Sequence, residues 1–301
     1  MSFNLYFAGW GSKDADAYLR ELNVHRLMSQ VNERNNIESW VADGLSDRLF
    51  IDSGAFSVAH SNAKVDIDLY IDYINNHLDI PNWAELDVIP YPVLNADTAK
   101  KCSEESWNNY VYMRERVNPK THILPLYHFG EPKSGLKRIL NTKVDGKLVD
   151  YIGVGGRHGV ATDVQIRYFN EIFAIIKASD NPNVKVHAFG ITVPKILENF
   201  PFYSADSTTW LQVAINGMIL TKSLSTVLIS DGTKSDKSNL QNMPEEAQNL
   251  ILAEVRYFDY DFKALCNDYK LRLRYNIDVL VDWANNYQYK GPETFKSHKL
   301  F

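Results

Sequence analysis

Cysteine is scarce in this chain: its 301 residues include only Cys102 and Cys266. Two thiols cannot build a structural zinc site of three or four cysteines, and they argue against a disulfide framework. Long apolar runs are missing as well. No stretch approaches the roughly 18 apolar residues of a membrane-spanning helix. The start, MSFNLYFAGWGSKDADAY, lacks the basic segment and apolar stretch of a secretion signal. A cytoplasmic protein with no membrane partner is expected. Positive charge is not in excess either. The formal net charge of -5 excludes a polycationic nucleic-acid coat but leaves room for a local basic patch. No His-x-His or His-Glu-x-x-His spacing occurs, so no metal site is expected. A metal-assisted hydrolase built on His128, His158 and His187 with Asp52 or Asp87 stays open as a minor alternative.

What the chain does have is alternation. Short apolar runs at 3–8, 48–51, 83–86, 121–126, 151–154, 184–189 and 202–205 have the length and composition of buried strands, and 225–229 would be an eighth. Amphipathic stretches lie between them. Residues 66–77 put Ile67, Tyr70, Ile71 and Ile74 on one helical face, and 163–177 do the same with Ile166, Phe169, Phe173 and Ile176. Residues 103–117 open on a Ser N-cap followed by Glu, and 209–218 read as a shorter helix. Such alternation predicts parallel strands with helical crossovers. Roughly eight units over about 230 residues predict an α/β fold, a (β/α)8 TIM-type barrel, with an open doubly wound sheet as the alternative. The Gly/Ser/Lys-rich segment 230–242 reads as a loop. Beyond Pro244, apolar residues at helical spacing as far as Tyr287 predict additional C-terminal helices. The expected organisation is a catalytic barrel over 1–243, with 244–301 packed on it as part of the same domain.

In a barrel the chemistry sits where strands end and βα loops begin. The runs are followed by Asp52-Ser53-Gly54-Ala55-Phe56-Ser57, by Asp87-Val88-Ile89-Pro90-Tyr91-Pro92 and by Tyr127-His128-Phe129-Gly130. Further on come Gly155-Gly156-Arg157, Phe189-Gly190-Ile191-Thr192 and Asp206-Ser207-Thr208-Thr209-Trp210. If the barrel closes, the carboxylates, glycine turns and histidine converge on one mouth. A plain turn or helix-cap role is the competing reading for each Asp taken alone. The stretch from Gly153 to Gly159 also has the look of a phosphate-cradling loop.

In their order and strand-end positions these segments resemble the tRNA-guanine transglycosylase family, which exchanges a guanine in nucleic acid for a 7-deazaguanine on a (β/α)8 barrel. The resemblance spans about Asp52 to Trp210. Its Asp-Ser-Gly-Gly-aromatic-Gln motif is similar to the segment from Asp52, its Asp-x-x-x-Pro-Tyr-Pro-like element to that from Asp87, and its nucleophile segment to that from Asp206. Its Val-Gln-Gly, Gly-Gly-Leu and Met-Gly-Val-Gly loops are matched more loosely around His128, Gly155 and Gly190. The family's three-Cys zinc site and the Pro-Thr-Arg after the nucleophile are missing. No appended RNA-binding domain is expected. These departures resemble the compact phage DNA 7-deazaguanine transglycosylases.

The resemblance implies Asp206 as nucleophile and Asp52 as general acid/base, with no cofactor beyond a free 7-deazaguanine base such as preQ0 as co-substrate. Physically, a carboxylate can trap C1′ covalently while a second carboxyl manages the proton of the leaving base. Asp87 would accept from the N1 and N2 donors of guanine. Ser53, Gly54, Phe56, His128, Gly155, Gly156, Arg157, Phe189 and Gly190 would line the base site, with Phe56 or Tyr91 stacking on it. Lys133, Lys137 and Arg138, followed by Lys143 and Lys147, and Lys234 and Lys237 in the polar loop, are the expected phosphate contacts. The expected polymer is DNA, with tRNA as the alternative. A partner protein or homodimer is also possible, and a phage protein would work in the host cytoplasm. A barrel hydrolase or glycosylase acting on a free nucleoside or sugar phosphate, and a noncatalytic subunit on the same fold, remain alternatives.

Overall fold

The computed structural model describes residues 3–55, 64–89, 95–156, 159–230 and 239–291. The central sheet is built from β1 (Asn4–Ala8), β2 (His25–Ser29), β3 (Leu49–Asp52), β4 (Asn82–Ala84), β5 (His122–Leu124), β6 (Leu126–Tyr127), β7 (Tyr151–Gly155), β8 (Lys185–Phe189) and β9 (Ser204–Ser207). Its order is β5-β4-β3-β2-β1-β9-β8-β7-β6, and neighbouring strands within it pair in parallel. The two ends of that order are one stretch of chain. β5 and β6 are separated only by Pro125, which has no N–H to give to a ladder. The Pro125 carbonyl still accepts from Gly153 N at 3.0 Å. The sheet thus closes into a TIM-type barrel whose fifth stave is broken at a proline.

Helices cover the outside: α1 (Lys13–Glu21), α2 (Arg34–Ala42), α3 (Ile67–Asn75), α4 (Ala96–Arg114), α5 (Lys133–Asn141), α6 (Thr162–Lys177), α7 (Pro194–Leu197) and α8 (Thr209–Ile215). Local chemistry fixes their starts. Asp66 caps α3 by accepting from Asp68 N and Leu69 N, and Asn95 with Thr98 forms a reciprocal capping box on α4. Ser103, expected to start this helix, lies inside it and is buried; the capping box begins the helix two turns earlier. On α6 the buried residues Ile166, Phe169, Ile172 and Ile176 follow helical spacing.

Seven of the expected runs are barrel strands, but the eighth is not. Residues Thr226–Leu228 form β11, which pairs antiparallel with β10 (Met218–Leu220) in a separate hairpin. The missing stave is β2, His25-Arg26-Leu27-Met28-Ser29, between β1 and β3. Its outward Arg26 is fully buried. The guanidinium donates to the Gly9 carbonyl at 2.9 Å and faces Asp16 at 3.4 Å and Glu33 at 3.6 Å. A buried cation survives only with such partners, and a strand with a charge inside it does not read as an apolar run.

The C-terminal helices are α9 (Glu245–Tyr257), α10 (Phe262–Asn267) and α11 (Tyr269–Asn285). Leu273, Tyr275, Ile277 and Leu280 of α11 share one apolar core with Leu5 and Phe7 of β1 and with Trp210 of α8. Trp210 is fully buried, and its indole N–H is satisfied by the Ala8 carbonyl at 2.9 Å. Asn276 ties the hairpin to the same helix by accepting from Leu220 N at 2.8 Å. Inside the barrel, Tyr6, Leu27, Phe50, Ala84, Leu124, Leu126 and Tyr151 fill the lumen from alternate strand positions. Gly153 belongs to this packing. A Cβ there would stand 2.4 Å from Cε2 of Phe189, so glycine is what lets that ring cross the lumen.

Candidate active site at the barrel mouth

Parallel strands direct all their C-terminal ends to one side. Asp52 is the last residue of β3, Asp206 lies in β9, His128 directly follows β6, Gly155 ends β7 and Phe189 ends β8. Asp87 lies three residues beyond β4. Electrostatics links the three carboxylates, because the Asp52 carboxyl is raised by repulsion from both Asp87 and Asp206.

Asp52 accepts from Gly54 N at 3.3 Å. Gly54 has φ +81°, and a Cβ on it would approach Val31 Cγ2 to 2.4 Å, so this turn needs glycine. Burial is the main cause that pushes the Asp52 carboxyl up, to about 7, and its acidic neighbours add to it. Near neutral pH it therefore exists in both protonation states.

Asp87 is held from two sides. Its Oδ1 accepts from Ser53 Oγ at 3.2 Å, and its Oδ2 lies 3.0 Å from His128 Nε2. The other ring nitrogen, Nδ1, lies 2.8 Å from Glu131 Oε1. Burial alone would lower the His128 value, but hydrogen bonds and charge from Asp87 and Glu131 outweigh it and push the imidazole up to about 10. His128 is thus an imidazolium that donates to a carboxylate on each side. Both nitrogens are engaged, so the ring orients Asp87 and has no N–H left over for a base. Glu85, 1% exposed, completes the acidic group. Its Oε1 accepts from Leu126 N at 2.6 Å, and its Oε2 has no hydrogen-bond partner among the described residues. Burial, reinforced by Asp87 and Glu131, lifts this carboxyl well above the ordinary range.

Asp206 is anchored through one oxygen. Oδ1 accepts from Gly190 N at 2.7 Å and lies 3.3 Å from His187 Nε2. Oδ2 has no hydrogen-bond partner among the described residues. His187 Nδ1 lies 2.6 Å from Ser204 Oγ, which in turn meets the Tyr151 hydroxyl. His187 is fully buried among aromatic rings, and burial lowers its value despite Asp206.

The remaining expected site residues divide into three groups. Ser53, Gly54, Gly155, Gly156, Phe189 and Gly190 all lie at this mouth. A Cβ on Gly155 would press on His128 Cδ2 at 3.3 Å, so glycine leaves that ring its place. Phe56, Tyr91, Arg157, Lys234 and Lys237 lie outside the described residues. The basic cluster splits. Lys133 is exposed and pairs with Glu171 at 2.9 Å, and Lys137 is exposed. Arg138 instead packs over Trp107 and donates to the Ser103 carbonyl at 3.0 Å, which makes it a helix–helix tie. Lys143 and Lys147 follow the far end of α5, away from the mouth.

Glu131, Glu85, Ser204 and Tyr151 were not among the expected site residues, and His187 entered only through the minor metal-hydrolase alternative. Glu131 carried one legible signal, an acid three residues after His128 in a tight turn. Among the described residues no group of three or more His, Cys, Asp or Glu is arranged to hold a metal ion, and no helix is long and apolar enough to cross a membrane. Beside the mouth, Trp10 is 40% exposed. It borders a cavity of about 620 Å³ against the first turn of α2. Compared with known protein families and with characterised proteins, the chain matches none of them.

Proposed function

We propose that the mouth catalyses base exchange on guanine in nucleic acid, DNA in preference to tRNA, through a covalent bond between Asp206 and C1′. The observation that carries this reading is the contrast between two neighbouring carboxyls. Asp206 has one oxygen fixed by two donors and the other without a partner among the described residues, while Asp52 is raised to about 7. A carboxyl poised to give and take a proton beside a second one that presents an open oxygen is what acid–nucleophile chemistry at an anomeric carbon requires.

In the forward step Asp206 Oδ2 bonds to C1′ as the C1′–N9 bond breaks. The bonding pair leaves with guanine, and the Asp52 proton neutralises the departing base. In the return step the Asp52 carboxylate takes the N9 proton of the incoming 7-deazaguanine. That nitrogen bonds to C1′, and the C1′–Oδ2 pair returns to Asp206. Asp87, oriented by Ser53 and His128, supplies acceptors for the N1 and N2 donors of the purine. Trp10 offers a stacking face to a flanking nucleotide. A duplex has to extrude its target nucleotide, which costs roughly a few kcal/mol.

One observation favours a smaller substrate. Lys133 is paired and Arg138 is built into a helix contact, which leaves fewer cations for a polymer backbone. The second reading is therefore cleavage or exchange on a free nucleoside. Incubation with labelled guanine and, separately, DNA, tRNA and guanosine, followed by nucleoside mass spectrometry, separates the two. Label in DNA supports the first reading, whereas label or hydrolysis confined to the nucleoside replaces it with the second. Asp206→Ala is expected to abolish exchange and adduct formation, and retained exchange would remove Asp206 from its role.

A further inference from the structure

Three polar groups behind Asp206 lie in the barrel lumen, where a polar side chain persists only if it is hydrogen-bonded. His187 and Ser204 are fully buried and Tyr151 is 4% exposed. The chain runs from the Tyr151 hydroxyl to Ser204 Oγ, from there to His187 Nδ1 at 2.6 Å, and from Nε2 to Asp206 Oδ1 at 3.3 Å.

Its proton directions can be worked out from the acceptor end. A carboxylate only accepts, so His187 Nε2 must carry a proton. With a neutral ring, Nδ1 accepts from the Ser204 hydroxyl, and Ser204 Oγ accepts from Tyr151. Every proton then has an acceptor. A charged ring would donate from Nδ1 as well. Ser204 would then donate to Tyr151, whose own proton has no acceptor among the described residues. The surroundings oppose the cation too. Phe189, Phe50 and Tyr6 stand edge-on around the imidazole, at centroid distances of 4.4, 4.9 and 5.7 Å.

We infer that His187 is a positioning residue: as the neutral Nε2–H tautomer, set by Ser204 and Tyr151, it clamps Asp206 Oδ1 together with Gly190 N–H and leaves Oδ2 as the oxygen that attacks. This inference rests on the reading in which Asp206 is the nucleophile. The clamp fixes which lone pair faces C1′, and it does so without an adjacent positive charge that would quench the nucleophile. The donors touch Asp206 and not the substrate, so their loss should slow the chemical step and leave substrate binding alone.

The test has two independent arms. The first needs no activity: ¹⁵N-histidine spectra of wild type and His187→Phe, compared between pH 5.5 and 8, identify the His187 signal among the eight histidines. A neutral Nε2–H tautomer throughout is expected, and an Nδ1–H or imidazolium form overturns the inference whether or not the protein exchanges bases. The second arm uses the substrate on which wild type is active. His187→Phe fills the aromatic cage without a donor and should lower kcat about 10- to 100-fold at unchanged KM, the effect of one hydrogen bond to a charged group. His187→Gln, which keeps an N–H, should recover most of the loss. Equal kcat in all three proteins, or a loss that Gln does not recover while Tm is kept, overturns the positioning role. If wild type itself forms no adduct, the reading of Asp206 as nucleophile fails, while the tautomer arm still decides whether the clamp exists.

Discussion

Replacing Asp52 by Asn tests the electrostatics of the mouth without any substrate. The carboxyl sits at about 7 against an ordinary 3.8, chiefly because it is buried and secondly because Asp87 and Asp206 repel its charge. The folded protein therefore binds more protons than the unfolded chain between those two pH values. Wild type must lose stability as pH rises through that window and level off above about 7. The difference corresponds to about 4 kcal/mol at about 1.4 kcal/mol per pH unit. Relaxation around a half-buried group reduces this, and about 2 kcal/mol is the working figure. Asn is isosteric, keeps an oxygen for Gly54 N–H and never ionises. Urea unfolding at pH 3, 6 and 8 should show Asp52→Asn equal to wild type at the lowest pH and about 2 kcal/mol more stable at the highest. A pH-independent difference, or a less stable variant at pH 8, would refute the argument. The same change should cost activity by removing the transferable proton.

Three further outcomes follow from the geometry. His128 sits at about 10 in the folded state, above its ordinary 6.5, so the stability it confers is full below about 6.5 and is lost as pH rises through about 10. His128→Gln should cost about 3 kcal/mol at pH 6, and urea titrations at pH 6 and 9.5 should show that gap narrowing. Gly153→Ala forces a methyl to within 2.4 Å of Phe189. Denaturant unfolding should register a loss of about 1–3 kcal/mol, and a loss below about 0.5 would contradict the lumen packing. Trp10→Ala should weaken binding of a single-stranded oligonucleotide about tenfold in a fluorescence titration while leaving Tm unchanged. Unaltered affinity would remove Trp10 from the path of the strand.

The barrel was legible because its strands are short apolar runs set at regular intervals, and because a carboxylate just beyond such a run stands out. Asp52, Asp87 and Asp206 were found that way. Strand β2 was illegible because it carries Arg26 beside its centre, whose charge is balanced by Asp16 of α1 and by Glu33 at the start of α2. The run 225–229 has strand composition and is a strand, but its partner is a local hairpin, and composition does not encode partners. The Tyr151–Ser204–His187 chain could not be seen for a related reason. Its members lie on three different strands, and only closure and register bring them into line.

The broken stave at Pro125 has a consequence for the whole mouth. The next backbone donor, Leu126 N–H, goes to the side chain of Glu85. One rivet of the barrel seam is thus a carboxyl group belonging to the acidic cluster around Asp87 and His128. Scaffold and mouth share that group, and reshaping the mouth at Glu85 would also loosen the hoop that holds the staves together. The exchange rate of a single backbone proton, on Leu126, would report from the wall of the barrel on the ionisation of its mouth.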